Sequence, residues 1–531
     1  METLILSPHN NDDIKKAGEI LKNGGLVAIP TETVYGLAAN ALDETATEKI
    51  YTAKGRPSDN PLIVHVSKIE DIAELVTEIP PKAKALAEKF WPGPLTIILP
   101  KSDKIPSKTS GGLNTVAIRI PNNKVALDII KESAVPLAAP SSNLSGRPSP
   151  TCFEHVFEDM NGRIDAIIKG KECEVGLEST VITLATNTPK ILRPGRISHA
   201  EIEKVIGKTD IDSAVLSKLE TDCEASSPGM KYKHYAPKAE ITISKLSFYD
   251  YKILLENDKT VTALCFENQK VDNQFVTYGK EYDSISQART LFSALHKLDE
   301  LGCQKVYATC PKQTGVGLAV YNRLIRAASF RIIEPKVQII GLTGTTGSGK
   351  STVCKILAEN FAKIIDCDKI TKDPDTYNAK CLKDLQNAFG SDILKENILD
   401  RKLLAKRAFE STEKTKLLNQ ITLPVITDKI NTIIENHKND GAKLIVLDAP
   451  TLFEANADKF CTGIMVVTAT KNLRLSRIIK RDNLTHTQAM QRINAQKSED
   501  FYTSKADWLI DTENGVNIDK IKEIVKSLKG V

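Results

Sequence analysis

The run 337–352, VQIIGLTGTTGSGKST, constrains this chain more than any other stretch. Its apolar, β-branched start predicts a buried strand. Its end, Gly344-x-x-x-x-Gly349-Lys350-Ser351, is a phosphate loop: glycines let the backbone wrap a phosphate chain and turn its N–H groups inward. Lys350 adds a point charge for the terminal phosphates, and Ser351 offers a hydroxyl to Mg²⁺. Val353, Ile356, Leu357 and Phe361 follow at helical spacing and predict one apolar helix face. The N-terminus of that helix aims a partial positive charge at the phosphates.

The loop lies two-thirds of the way along 531 residues, enough for roughly three or four domains, so the N-terminal part needs its own explanation. A net charge of +5 is small for this length and does not suggest a stripe built to hold duplex nucleic acid, although a local patch is compatible with it. No apolar run approaches the roughly 18 residues of a membrane span. The chain opens without a signal-peptide pattern, and its ten cysteines are scattered with no C-x-x-C pair. Free thiols in a reducing cytoplasm are expected.

Residues 13–21 predict a helix stopped by Gly24-Gly25, and 26–29 a strand ended by Pro30. The hydroxyl-rich loop 31–37 follows at the strand's carboxyl end, where open α/β sheets bind ligands; a plain strand–turn fits it equally. Lys54-Gly55-Arg56-Pro57 puts two cations on a tight turn, by itself an exposed basic turn. His65 ends a strand. In 115–121, Thr115, Ala117 and Arg119 share one face, and an arginine among small neighbours points to a polar cleft. Loops at 139–146, 176–182 and 191–196 complete a set of short apolar strands tipped with polar groups.

Together these loops resemble the YrdC family, specifically threonylcarbamoyl-AMP synthases, over about 10–205. PTETVYGL, KGRP with NPL, FWPGPLT, TVAIRIP, PSSNLSG, GLESTV and LRPG occur in order. Ser142 stands where alanine is more usual. The resemblance implies that Arg56, Asn60, Thr115, Ser141, Asn143, Ser149, Arg193 and the pair His234-Tyr235 hold ATP. It implies that Thr33, His65, Arg119, Ala139 and Ser179 hold threonine, with Lys54 and Arg56 as the catalytic charges near the phosphates. Residues 226–237, SSPGMKYKHYAP, have the composition of a linker and resemble the segment that crosses the active site in two-domain members. Residues 238–334 resemble the small Rossmann-like C-terminal domain of those enzymes, and no catalytic cluster is visible there.

Past the phosphate loop, 364–368 predict a strand ending in two carboxylates, one of which can take a proton from an attacking hydroxyl. Residues 443–448 predict a central strand whose Asp448 is either a Mg²⁺ holder or a strand-ending turn residue. The cations of 473–481 are either solvated or a lid over phosphates. From about 336 to 531 the chain resembles dephospho-CoA kinase: GLTGTTGSGKST, IIDCDKI, LDRKLLAKRAF, VLDAPTLFE, RIIKRDNLT and RINAQ. Leu423 (for histidine), Thr451 (for leucine) and Cys367 (for alanine) depart from that pattern. The resemblance implies Asp368 as base. Gly344, Thr346, Gly347, Ser348, Gly349, Lys350, Ser351, Thr352, Arg477 and Arg481 would hold ATP, and Ser351 and Asp448 the metal.

The expected architecture is α/β throughout. A YrdC-like domain (1–208), a linker or lid (209–237), a small Rossmann-like domain (238–334) and a P-loop kinase domain with parallel sheet and helical lid (335–531) follow one another. The expected enzyme is bifunctional and cytoplasmic. One half makes threonylcarbamoyl-AMP and pyrophosphate from ATP, L-threonine and bicarbonate, for delivery to tRNA-modification enzymes. The other phosphorylates the ribose 3′-hydroxyl of dephospho-CoA. Mg²⁺ would accompany ATP, with no tightly bound organic cofactor and no membrane partner; direct tRNA binding is left open. Two other readings stand at this stage, an RNA-binding N-terminal module and a different P-loop small-molecule kinase.

Overall fold

The computed structural model describes residues 2–57, 60–215, 235–395 and 398–529. It divides into two compact units, Met1–Ser244 with Leu255–Ile333, and Lys245–Leu254 with Glu334–Val531.

The first unit holds an 11-stranded mixed sheet and a 5-stranded sheet. In the large sheet, Ile63–His65 runs parallel to Thr115–Arg119, with His65 opposite Arg119. Leu137–Ala138 lies antiparallel on the other side of Ile63–His65, with Ala138 opposite Val64. Thr180–Thr183 pairs parallel with Leu95–Pro100 and antiparallel with Lys190–Arg193. These registers bring His65, Arg119, Ala139, Ser179 and Arg193 to neighbouring strand ends. Apolar side chains such as Leu37, Val64, Ile118 and Ile182 fill one face of the sheet. Val27, Ile29, Ile129 and Ile168 fill the other, so the sheet is covered on both sides.

The small sheet is wholly parallel, in the spatial order Phe275–Thr277, Thr262–Cys265, Lys305–Thr309, Glu240–Ser244, Ile332–Ile333. Its core includes three residues from outside its own span, Val34, Leu177 and Tyr235. Two of these sit in loops of the large sheet, so the small sheet's packing fixes the loops that its neighbour uses.

The second unit is built on five parallel strands in the order Lys363–Asp366, Leu444–Asp448, Gln338–Gly344, Gly463–Thr468, Trp508–Asp511. The strand before the phosphate loop is central and buried, as its composition predicts. Two details differ from the sequence reading. The helix after the loop, Lys350–Glu359, buries Val353, Ile356 and Leu357 but stops before Phe361. Phe361 has φ 66° and is 85% exposed, because the chain has already left the helix. The strand predicted to run through Asp368 ends at Asp366, whose side chain accepts from the Lys369 N–H at 3.0 Å and caps a new helix, Cys367–Lys372. Asp368 therefore sits in a helical first turn. Among the described residues, no helix is long and apolar enough to cross a membrane.

Gly176 joins the two sheets of the first unit. It has φ +77°, and a Cβ there would stand 2.4 Å from Arg289 backbone atoms. Gly176→Ala is expected to cost about 2–4 kcal/mol, combining left-handed strain and a clash that backbone cannot relieve. A calorimetric scan checks this: the transition of the first unit moves down and that of the second does not.

Candidate functional site

The helix Glu44–Lys54 is capped by Asp43 and terminated by Gly55 in the left-handed conformation, φ 62°. That ending puts Lys54 on the last turn and Arg56 just beyond it. Lys54 is buried, and its Nζ donates to the backbone oxygens of Ser141 and Asn143, the latter at 2.7 Å. Burial first, then the Arg56 charge, pull its ammonium down to about 7. Ser141 Oγ donates to Asn143 Oδ1 at 2.6 Å, and the Asn143 amide donates to Leu144 O and Arg147 O, so the 141–147 loop is tied to itself.

Opposite stands Arg119, at the end of its strand. Its Nη2 pairs with Glu32 at 2.7 Å, both side chains 5% exposed. Its Nη1 donates to Thr33 Oγ1 at 2.9 Å and its Nε to Gly93 O at 3.2 Å. The neighbouring His65 is buried, with Nδ1 3.2 Å from Ile63 O. Burial and then Arg119 lower its pKa to about 3, so it is a neutral imidazole at physiological pH. Arg193 closes the far wall: Nη2 donates to Ser179 Oγ and Nε to Ser179 O, both at 3.1 Å. Ser179 Oγ also meets Thr96 Oγ1 at 2.7 Å. Burial pulls the Arg193 guanidinium below its ordinary value.

These groups line one cleft of about 680 Å³ including its open mouth. Of the residues expected from sequence, it collects Thr33, Lys54, Arg56, His65, Arg119, Ala139, Ser141, Asn143, Ser179, Arg193 and Tyr235. Asn60, Thr115 and Ser149 are not in its wall. Thr115 shares a strand face with Arg119, but four residues of strand put them about 13 Å apart. Ala117 between them belongs to an apolar cluster with Ile63, Val181 and Leu192. That face is thus core at its middle and polar only at its end. Ser149 is fully buried and donates to Glu178 Oε1 at 2.6 Å, so it stands behind a residue of the wall. Asn60 is fully buried, and its amide atoms have no hydrogen-bond partner among the described residues. His234 and residues 226–234 of the expected lid lie outside the described residues; Tyr235, with φ 63°, lies in the wall. Sequence reasoning passed over Glu32 and Glu178. Both stand inside the quoted motifs, but a carboxylate beside expected phosphates gives no signal by itself.

In the second unit, Gly347 has φ 79°, and a Cβ would lie 2.8 Å from Arg474 O, so the phosphate loop passes closely under the helix Lys471–Asp482. Arg474, buried, donates to Thr346 O at 3.0 Å; Arg477 donates to Gly347 O at 3.3 Å and Thr512 Oγ1 at 2.8 Å. Thr512 donates to Ser348 O at 2.7 Å, and Gln496 accepts from the Thr346 N–H at 2.7 Å. Arg481 instead bonds its neighbour Asp482 on the exposed side. Lys350 makes an ion pair with Asp448. Asp448 and Asp366 stand side by side in parallel register, with the exposed Asp368 two residues on. Ser351 and Thr352 are exposed on the first helical turn. Burial, then Asp448, push the Cys367 thiol up to about 12, so it is uncharged.

Family models match three stretches: "Telomere recombination" at 19–195, "Threonylcarbamoyl-AMP synthase, C-terminal domain" at 197–329, and "Dephospho-CoA kinase" at 338–517. The chain is 46% identical over 330 residues to the threonylcarbamoyl-AMP synthase of Pyrococcus abyssi, covering 60% of this chain and 95% of that one. It is 40% identical over 186 residues to the dephospho-CoA kinase of Fusobacterium nucleatum, covering 35% of this chain and 93% of the relative. The crystal structure of P. abyssi Sua5 complexed with L-threonine matches with TM-score 0.60 and 43% identity, over 63% of this chain and 100% of that one. The chain therefore belongs to both families, as a fusion of a threonylcarbamoyl-AMP synthase with a dephospho-CoA kinase.

Proposed function

We propose that the cleft of the first unit binds ATP and L-threonine side by side and takes its carbon from bicarbonate. Bicarbonate loses hydroxide to give CO₂, and the threonine amine captures the CO₂ as a carbamate and releases a proton, so that water is the by-product. A carbamate oxygen then attacks the α-phosphorus, and pyrophosphate leaves. No side-chain nucleophile is required, only position and positive charge. The reading is carried by one observation: Lys54, Arg56, Arg119 and Arg193 converge on a single cleft with the hydroxyls of Thr33 and Ser179. Thr33, His65, Arg119, Ala139 and Ser179 form the threonine side. Lys54, Arg56, Ser141, Asn143, Arg193 and Tyr235 form the ATP side. Asn60, Thr115 and Ser149 complete the ATP set only if the liganded cleft differs from this one; His234, the chain neighbour of Tyr235, is kept in that set. The separate sheets of the first unit, each with its own apolar core, support a division into 1–208 and 238–334, and the compact second unit supports 335–531 as the kinase.

In the kinase, the loop amides of 344–349 with Lys350, Thr352 and Arg477 hold ATP; Arg481, bonded to Asp482, takes part after releasing it. Asp368 accepts the proton of the ribose 3′-hydroxyl. Ser351 and Asp448 present hard oxygen donors beside the phosphate loop, and that donor set fits Mg²⁺, most of whose remaining ligands are phosphate and water. A Mg²⁺ ion held by these two residues would supply charge neutralisation for the transferring phosphate. Lys350 is held by Asp448 in readiness for the same charge.

Threonine- and bicarbonate-dependent pyrophosphate release tests the first reading. Arg56→Ala and Arg193→Ala are each expected to lower it by about 10²–10³-fold, the usual loss for one preorganised charge or donor. CoA formation stays unchanged in both. Lys350→Ala gives the reverse pattern, no CoA and normal pyrophosphate release; near-normal CoA formation in that variant would remove the kinase assignment.

Lys54 gives a pH test. Its folded pKa of about 7 leaves it mostly neutral at about pH 8. An arriving phosphate chain raises that pKa, so ATP binding takes up a proton. Titration calorimetry in buffers of different ionisation enthalpy is expected to show the uptake at about pH 8 and little at about pH 6, where the ammonium is already formed. Lys54→Met abolishes it.

A further inference from the structure

Arg323 stands on the helix Gly315–Ala327, which packs on the small sheet, and its side chain has no exposed surface. Its Nε donates to Glu178 Oε2 at 2.9 Å, while the other oxygen of that carboxylate accepts from Ser149. Its Nη1 donates to Pro194 O at 2.7 Å and to Asn322 Oδ1 at 3.0 Å. The guanidinium carbon lies 5.8 Å from the centre of the Tyr235 ring. Glu178 and Pro194 are the chain neighbours of Ser179 and Arg193, which bond each other across the far wall of the cleft. One arginine of the small sheet therefore grips both loops of that wall.

Glu178 is itself in the wall and within electrostatic reach of Arg193. Burial alone would push its carboxyl up; Arg323, then Arg193, then Ser149 outweigh that and hold it ionised. A buried carboxylate without a dedicated partner takes the nearest cation. Without Arg323 that cation is Arg193, and an entering phosphate would meet a neutral pair.

We propose that Arg323 is a positioning residue of the synthase: it occupies Glu178, so that the charge of Arg193 stays directed into the cleft. The proposal rests on the reading of Arg193 as an ATP-binding group.

The test uses the full chain, with ATP varied in threonine-dependent pyrophosphate release and folding checked by thermal unfolding. R323Q is expected to raise the KM for ATP about tenfold, with a smaller change for threonine. E178Q/R323Q leaves no carboxylate to compete for Arg193, so KM returns to within about threefold of wild type. R323K keeps the charge and recovers likewise. A packing role predicts the opposite order, with the double variant worse than R323Q. An unchanged KM in R323Q, or no recovery in the double variant, overturns the proposal. If R323Q does not fold, R323K decides: a KM raised about tenfold in that variant overturns the charge argument. R193A separates the two failures, since a wild-type KM there removes the ATP-site reading itself.

Discussion

Crowding of like charge in a buried cleft is the constraint on which the synthase half depends. Lys54, Arg56, Arg119 and Arg193 share one wall system with two carboxylates, Glu32 and Glu178. Cations taken out of water cost free energy unless each has a partner or gives up its proton. The fold uses both routes. Arg119 is paired with Glu32, and Arg193 is held by the Ser179 oxygens. Lys54 is bound by two carbonyls and titrates near neutrality. These contacts hold the cationic groups in place around the cleft, so the receptor is organised before any phosphate arrives.

That organisation is shared between the two sheets of the first unit. Leu177 and Val34 leave loops of the large sheet to enter the small sheet's core. Arg323 and Arg326 return the contact, Arg326 by donating to Ala214 O at 2.8 Å and Arg323 through Glu178. The small sheet thus contributes to the cleft through the rigidity of two loops. The kinase half meets the same need, an anion receptor, by other means. Its loop carbonyls are tied down by Arg474, Arg477 and Thr512, and the Thr346 amide by Gln496, which fixes the course of the loop. One cation, Lys350, waits on Asp448.

The elements with strong local signals were readable in the chain. The phosphate loop, its preceding strand and its helix depend on glycine spacing and apolar periodicity, and these act over a few residues. The polar strand tips at 31–37, 139–146 and 176–182 were readable as local features, while the roles expected of the eleven residues that meet in the cleft came from the family resemblance. Phe361 was misjudged because periodicity runs on through a helix end that Asn360 and a left-handed residue enforce. Period-two alternation puts Thr115 on the face of Arg119 but does not say where along that face the core stops, and Thr115 is not in the wall of the cleft.

What the sequence alone determined is therefore local: which stretches are strands, where glycine must bend the chain, and which residues carry the phosphate chemistry and the two family motif sets. What only the tertiary structure decided is pairing. Arg119 with Glu32, Ser149 with Glu178, and Glu178 with Arg323 join residues as far as 145 positions apart. Nothing in a motif says which buried charge will neutralise which, because that depends on distance and desolvation, and both exist only once the sheets have packed.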